Sequence, residues 1–378
     1  MREESEVVIV GAGPSGLSVG ACLRARGVPF VMLEREAAVG PAWRRHYDRL
    51  HLHTVKQFSS LPRMPWPEGT PTYPSRAEFV AYLEAYAQRF GLVPRFGEDV
   101  RSARREGDGF LVRTAEKEYR ARSLVVATGL NRVPYVPSWP GQGAFEGTLV
   151  HSSAYKNGAA FQGKRALVVG TGNSGAEIAL DLWEHGARPT ISVRGPVHVV
   201  PRDMNGIPSQ VTSLFLFSKM PPALADKISL FVLDRVVGDL SRHGFVRPEL
   251  GPISQVVFQR RIPLIDVGTV ELVKQGHIEV AKEVQSFGAR EVTFVDGARR
   301  PFDLVVLATG YRTGIADVLE GAEGWLDERG YPRHFGAPVP DAPGLYFIGF
   351  RNPLTGQIHD IAIEAERIAG FVAKEGRS

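Results

Sequence analysis

Short apolar runs that end in glycine-rich turns occur twice along this chain, and each turn leads into a segment with helical spacing. The first run is Val7-Val8-Ile9-Val10, before Gly11-Ala12-Gly13-Pro14-Ser15-Gly16. The second is Ala166-Leu167-Val168-Val169, before Gly170-Thr171-Gly172-Asn173-Ser174-Gly175, 159 positions later (170 minus 11). The pattern predicts strand 7–10, helix 14–26 and strand 30–34, then strand 167–169, helix 174–185 and strand 190–194. A second phrase is also duplicated. Leu124-Val125-Val126-Ala127-Thr128-Gly129 returns as Leu304-Val305-Val306-Leu307-Ala308-Thr309-Gly310-Tyr311. Two copies mean two related units, not a solenoid.

Between these units the pattern changes character. Residues 41–75 are rich in Pro, His and aromatics and show no period, as expected of a functional irregular stretch. Phe79, Tyr82, Leu83 and Tyr86 fall at i, i+3, i+4 and i+7, which predicts a helix over 76–90 with a core-facing aromatic stripe. Short alternating strands follow near 98–123. Residues 205–265 carry helix-compatible apolar segments foreign to a nucleotide unit. They read as an insertion that covers the active site, mediates dimerisation or touches a membrane surface. A strand at 344–350 and a helix at 361–372 close the chain and should return to the first unit.

In a strand–turn–helix setting, G-x-G-x-x-G lets the backbone approach a pyrophosphate at a helix N-terminus. Two such settings predict an α/β protein with two Rossmann-like dinucleotide-binding domains. The first domain is expected at 1–157 and 305–378, and the second at 158–304 with a helical insertion at about 205–265. Glu34 ends the first unit's second strand, where an acid accepts from ribose hydroxyls and repels a 2′-phosphate, so FAD or NAD is expected there. Arg194 takes the corresponding place in the second unit. A cation there suits the 2′-phosphate of NADPH, with Ser192 able to add a hydrogen bond.

Composition narrows the class. The 378 residues carry 45 basic and 41 acidic side chains, scattered without a basic block, which argues against a nucleic-acid partner. The lone cysteine, Cys22, excludes an intrachain disulfide and a redox-active C-x-x-C pair, and fits a cytoplasmic location. Met1–Glu6 runs straight into the first strand, so no signal peptide is expected, and no apolar stretch is long enough to span a membrane. We find no H-E-x-x-H spacing, no G-x-S-x-G elbow and no metal-ligand cluster. Metal and serine-hydrolase chemistry are therefore not expected.

Between the units lies Phe145-Glu146-Gly147-Thr148-Leu149-Val150-His151-Ser152-Ser153-Ala154-Tyr155. It resembles the F-x-G-x-x-x-H-x-x-x-[Y/F] fingerprint of class B flavin-containing monooxygenases. Related Baeyer–Villiger enzymes carry Trp where Tyr155 stands, usually followed by Pro or Asp, whereas Lys156 follows here. Within the class the chain looks most similar to the YUCCA family, which converts indole-3-pyruvate to indole-3-acetate. Tyr47-Asp48-Arg49-Leu50-His51-Leu52-His53, Lys56-Gln57-Phe58, Pro71-Thr72-Tyr73-Pro74, Leu83-Glu84-Ala85-Tyr86-Ala87, Arg247-Pro248-Glu249-Leu250-Gly251-Pro252 and Leu264-Ile265-Asp266-Val267-Gly268-Thr269 carry this likeness. Residues 253–263 and 351–360 depart from the plant-like pattern, and the Arg/Ala/Gly-rich composition suggests a bacterial relative.

The resemblance implies an FAD-dependent enzyme that takes hydride from NADPH and activates O2 as a flavin C4a-(hydro)peroxide. An anionic aryl keto acid is the implied substrate; N- or S-oxygenation of amines and sulfides, or an uncoupled NADPH oxidase, are the alternatives. A homodimer is one expected assembly. Laid over the two units, the likeness implies FAD contacts from Gly11, Gly13, Pro14, Ser15, Gly16, Glu34, Arg35, Gly40, Trp43, Arg44, His53, Val100, Ala127, Thr128, Gly129 and Gly349. It implies NADPH contacts from Gly170, Thr171, Gly172, Asn173, Ser174, Gly175, Ser192, Arg194, Ala308, Thr309, Gly310 and Tyr311. Lys56 and Gln57 are expected as catalytic residues at the reactive flavin edge. His151 and Tyr155 are expected to join the nucleotide domains and position the cofactors. Arg44, Arg132 and Arg260 are candidates for a substrate carboxylate.

Overall fold

The computed structural model describes residues 2–375. Among these residues the strand Arg2–Val10 forms the centre of an eight-stranded sheet. It pairs in parallel with Phe30–Glu34 on one side (Val7 opposite Phe30) and with Glu118–Val126 on the other (Val8 opposite Leu124). Val7, Val8 and Ile9 are fully buried, as parallel strands covered on both faces demand. The strand Ala342–Phe347 adds beside Glu118–Val126 with Leu345 opposite Leu124, so the C-terminal segment completes the first sheet. Helix Gln357–Glu375 then packs on helix Pro14–Arg24 through the buried stripe Ile361, Ala365, Ile368, Ala369 and Val372.

The second sheet has five strands, all paired in parallel, in the order Glu279–Ala281, Arg188–Ser192, Arg165–Val169, Leu304–Leu307, Thr148–His151. The expected divisions at 157/158 and 304/305 cut across this sheet, because Thr148–His151 and Leu304–Leu307 both belong to it. Leu304–Leu307 is buried on both faces between two partner strands, and that environment assigns it to the second unit. The strand foreseen at 190–194 runs instead from Arg188 to Ser192. Its neighbour Glu279–Ala281 ends opposite Ser192, so the ladder stops two residues before Arg194.

The two glycine turns are built identically. Gly11 sits at φ +110° and Gly170 at φ +116°. A Cβ on Gly11 would lie 2.6 Å from the Ala127 carbonyl oxygen, and one on Gly170 would lie 2.5 Å from that of Ala308. A Cβ on Gly16 would fall 1.9 Å from the Gly11 oxygen, and one on Gly175 2.1 Å from the Gly170 oxygen. Each glycine turn is thus locked against its own Ala-Thr-Gly turn. The duplicated phrases are two halves of one device.

Helices Ser209–Phe215, Pro222–Val236 and Pro252–Gln259 make up the insertion. Asp226, buried on the middle helix, accepts the Ile253 N–H at 2.8 Å and so caps the third helix. Gly251 leaves the room: a Cβ there would lie 2.2 Å from the Asp226 carboxyl carbon. No helix among the described residues is long and apolar enough to cross a membrane.

Candidate active site

Two cavities meet between the sheets. The first, of about 370 Å³, runs along the C-terminal ends of the first sheet's strands. Gly11, Gly13, Pro14, Ser15, Glu34, Arg35, Gly40, Trp43, Val100, Ala127, Thr128, Gly129 and Gly349 line it, as do Asn173 and Ser174 from the second turn. Gly16 is one layer behind, buried under the turn.

The wall of this cavity fits a dinucleotide. Gly13, the N-cap of helix Pro14–Arg24, has ordinary extended backbone (φ −80°, ψ −173°), yet a Cβ there would meet nothing within 4 Å. The chain therefore leaves open space where a phosphate would approach the helix N-terminus. The Thr128 hydroxyl is buried and has no hydrogen-bond partner among the described residues, an acceptor or donor waiting for one. Glu34 is buried at the end of its strand, and its two oxygens accept the N–H groups of Ala12 (2.8 Å) and Glu36 (3.0 Å). Burial nevertheless pushes its carboxyl above the usual carboxylate range. Two neutral N–H donors do not fully replace water, and ribose hydroxyls would supply what is missing.

The second cavity, of about 280 Å³, shares Trp43, Asn173, Asn352, Gln357 and Ile358 with the first. Its walls are more apolar: Leu52, Val200, Phe217, Ile253, Val256, Ile262, Ile265 and Leu354 line it with His53 and Gln210. All three insertion helices contribute, so among the described residues the insertion is a cover for this cavity. Gln210 fastens the cover. Its carbonyl accepts the Val55 N–H at 2.7 Å and its amide donates to the Thr355 carbonyl at 2.7 Å.

The remaining expected residues divide into two groups. Gly170, Thr171, Gly172, Gly175, Ala308, Thr309, Gly310 and Tyr311 form the second unit's turns without lining either cavity. Positions Gly172 and Gly310 face open space, as Gly13 and Gly129 do. Arg194 is exposed, with no hydrogen bond or ion pair among the described residues. Ser192 is different: its buried hydroxyl donates to the Lys282 carbonyl at 2.8 Å. It faces into the sheet and is not free for a phosphate.

Lys56 and Gln57 are not brought to the site. They sit on the turn Lys56–Phe58, where the Lys56 ammonium donates to the Thr70 carbonyl and Gln57 is exposed. Neither lines a cavity. Arg44 is also turned away, donating to the Val39 carbonyl at 2.8 Å and pairing with Glu84. Neighbouring Arg45 lines the first cavity instead. His53 lines the second cavity, not the first, and is held by the buried Glu177 of the second unit's helix. Neither Arg260, which pairs with Asp327 at 3.0 Å, nor Arg132, which lines the first cavity, reaches the second.

The fingerprint residues hold backbone in place. His151 Nδ1 accepts the Ser153 N–H at 3.1 Å, which leaves Nε2–H to donate to the Gly310 carbonyl at 3.0 Å. Burial lowers its pKa, so the ring is neutral at pH 7. The buried Tyr155 hydroxyl donates to Asp181 at 2.5 Å, and Asp181 also accepts the Gly158 N–H at 2.8 Å. Both contacts lie within the second unit. Next to Tyr155, Lys156 reaches the first unit, where its ammonium donates to the carbonyls of Arg44 (3.0 Å), Arg45 (2.9 Å) and His46 (3.3 Å). Sequence reasoning missed Lys156, and also Gln210, Asn352 and Gln357. Asn352 and Gln357 left a trace, both lying in the divergent segment 351–360.

Residues 8–205 match the family described as pyridine nucleotide-disulphide oxidoreductase. The chain is 44% identical to indole-3-pyruvate monooxygenase YUCCA1 of Oryza sativa subsp. japonica, over 91% of this chain and 86% of the relative. It is similar in fold to a flavin-containing monooxygenase from Stenotrophomonas maltophilia (TM-score 0.74, 24% identity, 98% of this chain and 99% of that one). A cyclohexanone monooxygenase from Rhodococcus sp. Phi1, solved bound to NADP+, matches with TM-score 0.78 at 20% identity, over 100% of this chain and 85% of that one.

Proposed function

We propose that this chain, which belongs to the YUCCA family of flavin-dependent monooxygenases, uses FAD, NADPH and O2 to decarboxylate an aryl pyruvate such as indole-3-pyruvate. The overall reaction is aryl pyruvate + NADPH + H⁺ + O2 giving arylacetate, CO2, H2O and NADP⁺. The observation that carries this reading is the meeting of a glycine-walled cavity with an apolar, covered one at Trp43, Asn173 and Gln357. The family name includes disulphide reduction, but the lone Cys22 is buried and its thiol is pushed up to about 12 by desolvation. A dithiol relay has no residues here.

Bound FAD, reduced by NADPH, supplies the oxygen chemistry. The chain's own residues place the reactants and exclude water. The Gly13 N-cap and the helix behind it hold the FAD pyrophosphate, Glu34 holds the ribose hydroxyls, and the Thr128 hydroxyl takes a cofactor oxygen. The Gly172 turn holds the NADPH pyrophosphate and Arg194 its 2′-phosphate. Neutral His151 fixes Gly310 and so the second turn; it moves no proton. The insertion helices keep water from the junction of the two cavities.

A product screen tests the reading. The FAD-loaded protein is given NADPH with indole-3-pyruvate, phenylpyruvate, trimethylamine or a thioether, and products are identified by mass spectrometry with H2O2 measured in parallel. Arylacetate formation with little H2O2 is expected. Unchanged keto acids beside an N-oxide or sulfoxide would overturn the substrate, and full conversion of O2 to H2O2 regardless of substrate would make the protein an oxidase.

A further inference from the structure

Within the covered apolar cavity one side chain carries a permanent charge. That is Arg202, which follows the strand Val199–Pro201 and lies at the start of the insertion. The other titratable lining groups are His51 and His53. His53 is engaged by the buried Glu177, and His51 is exposed with Nδ1 bonded to the Arg49 carbonyl at 2.7 Å. An anionic substrate entering this cavity therefore has one strong partner.

Arg202 is also held ready. Its backbone N–H donates to the Asp266 carbonyl at 3.0 Å and its carbonyl accepts the Ser209 N–H at 2.9 Å, fixing the residue between the strand and the first insertion helix. Its guanidinium lies 4.0 Å over the Tyr73 ring, and Nε donates to Asp203 at 3.3 Å. The Tyr73 hydroxyl donates to the same Asp203 carboxylate at 2.5 Å. Ring and carboxylate together fix the plane of the fork. The two terminal NH2 groups are left without a hydrogen-bond partner among the described residues. A planar fork with both terminal nitrogens unused matches the two oxygens of a carboxylate.

We propose that Arg202, positioned by Tyr73 and Asp203, binds the carboxylate of the substrate and sets the enzyme's preference for aryl keto acids. The inference rests on the proposed keto-acid activity and names the residue that selects for it. The apolar residues Val200, Phe217, Ile253 and Val256 would then receive the aryl group, while the keto carbon faces the junction with the first cavity.

The test uses the FAD-loaded enzyme and its Arg202→Gln and Arg202→Lys variants. Phenylpyruvate binding is followed by the change it causes in the flavin spectrum, which needs no turnover. Arg202→Gln should bind phenylpyruvate at least about tenfold more weakly, the loss expected for one charge-assisted hydrogen bond. Arg202→Lys should fall between the two, because a point charge replaces the fork. Benzyl methyl ketone, which lacks the carboxylate, should bind all three proteins equally. FAD content and thermal midpoint report folding, and Arg202→Lys decides the matter if Arg202→Gln loses its flavin. Unchanged phenylpyruvate affinity in a folded variant would overturn the proposal, as would weakened NADPH binding with the keto acid unaffected. Failure of the parent reading looks different: the unsubstituted enzyme would then leave keto acids unconverted in the product screen, whatever the binding titration gives.

Discussion

At the scale of single residues, Gly13 and Gly16 make opposite demands although they stand three apart. A Cβ on Gly16 would collide with backbone at 1.9 Å, while one on Gly13 would meet nothing and needs no unusual φ. Gly16→Ala should therefore destabilise the FAD-free protein by at least the roughly 1–3 kcal/mol that forced backbone shifts cost, read as a lower thermal midpoint. Gly13→Ala should leave the stability within about 0.5 kcal/mol of its starting value, as substitutions away from packed features do. It should still weaken FAD binding, because the methyl occupies the phosphate's approach. Equal loss of stability in both would remove the assignment of Gly13 to cofactor contact. Arg194 likewise offers an unused group, its exposed guanidinium. That group is unpaired among the described residues, so Arg194→Ala should raise KM for NADPH by about tenfold and leave KM for NADH unchanged. A parallel rise with NADH would assign the residue to something other than the 2′-phosphate.

At the scale of elements, two helices each carry one polar side chain that reaches backbone outside the helix. Gln210 ties the first insertion helix to Val55 and Thr355. Gln210→Ala leaves the buried Val55 N–H unpaired, a cost of about 1–3 kcal/mol, and should raise the share of NADPH oxidised to H2O2 as water reaches the cavity. The C-terminal helix carries buried Glu364, whose carboxylate accepts the Gly349 N–H at 3.1 Å and has its other oxygen unpartnered among the described residues. Desolvation raises its carboxyl to about 7 from an ordinary 4.5. A raised folded value means its stabilising proton is fully bound below pH 4.5 and is lost as pH rises through about 7. The charge should cost about 3 kcal/mol above that window. Glu364→Gln should thus raise the thermal midpoint at pH 8 and flatten its pH dependence between about pH 4.5 and 7; a variant as pH-sensitive as the parent would show the cost lies elsewhere. The elements themselves were largely legible, because both glycine turns, both flanking strands and the aromatic helix Arg76–Arg89 follow local period and spacing. The end of the strand before Arg194 was not. Thr190-Ile191-Ser192-Val193 continues to alternate, but a ladder ends where its neighbour ends, and that neighbour is Glu279–Ala281. The second cavity was illegible for a related reason. Its walls come from Trp43, 50–54, Asn173, 200–217, Ser229, 252–265 and 352–358, brought together by the fold with no local pattern to announce them. Lys56 and Gln57 show the converse, a local phrase whose side chains the fold keeps away from both cavities.

At the scale of the whole molecule, the first nucleotide unit is closed by residues more than two hundred positions beyond its glycine turn. Leu345 lies opposite Leu124, helix Gln357–Glu375 covers helix Pro14–Arg24, and Gly349 and Gln357 line the first cavity. The sequence predicts this return from the terminal strand and helix alone. Its energetic consequence is that the tail cannot be an appendage: opening it strips the buried stripe from Ile361 to Val372 and exposes the edge of Glu118–Val126. Backbone amides of 344–347 and 361–372 should therefore exchange with solvent in the same slow unit as those of 7–10 and 120–126. FAD should slow all four segments together, by about 2.7 kcal/mol when free FAD is a hundred times its Kd, because the ligand binds only the closed arrangement. Residues 165–169 and 304–307, in the second sheet, should respond to NADP⁺ instead. Faster, FAD-independent exchange of the tail would mean that the first unit is complete without it, against the pairing of Ala342–Phe347 with Glu118–Val126.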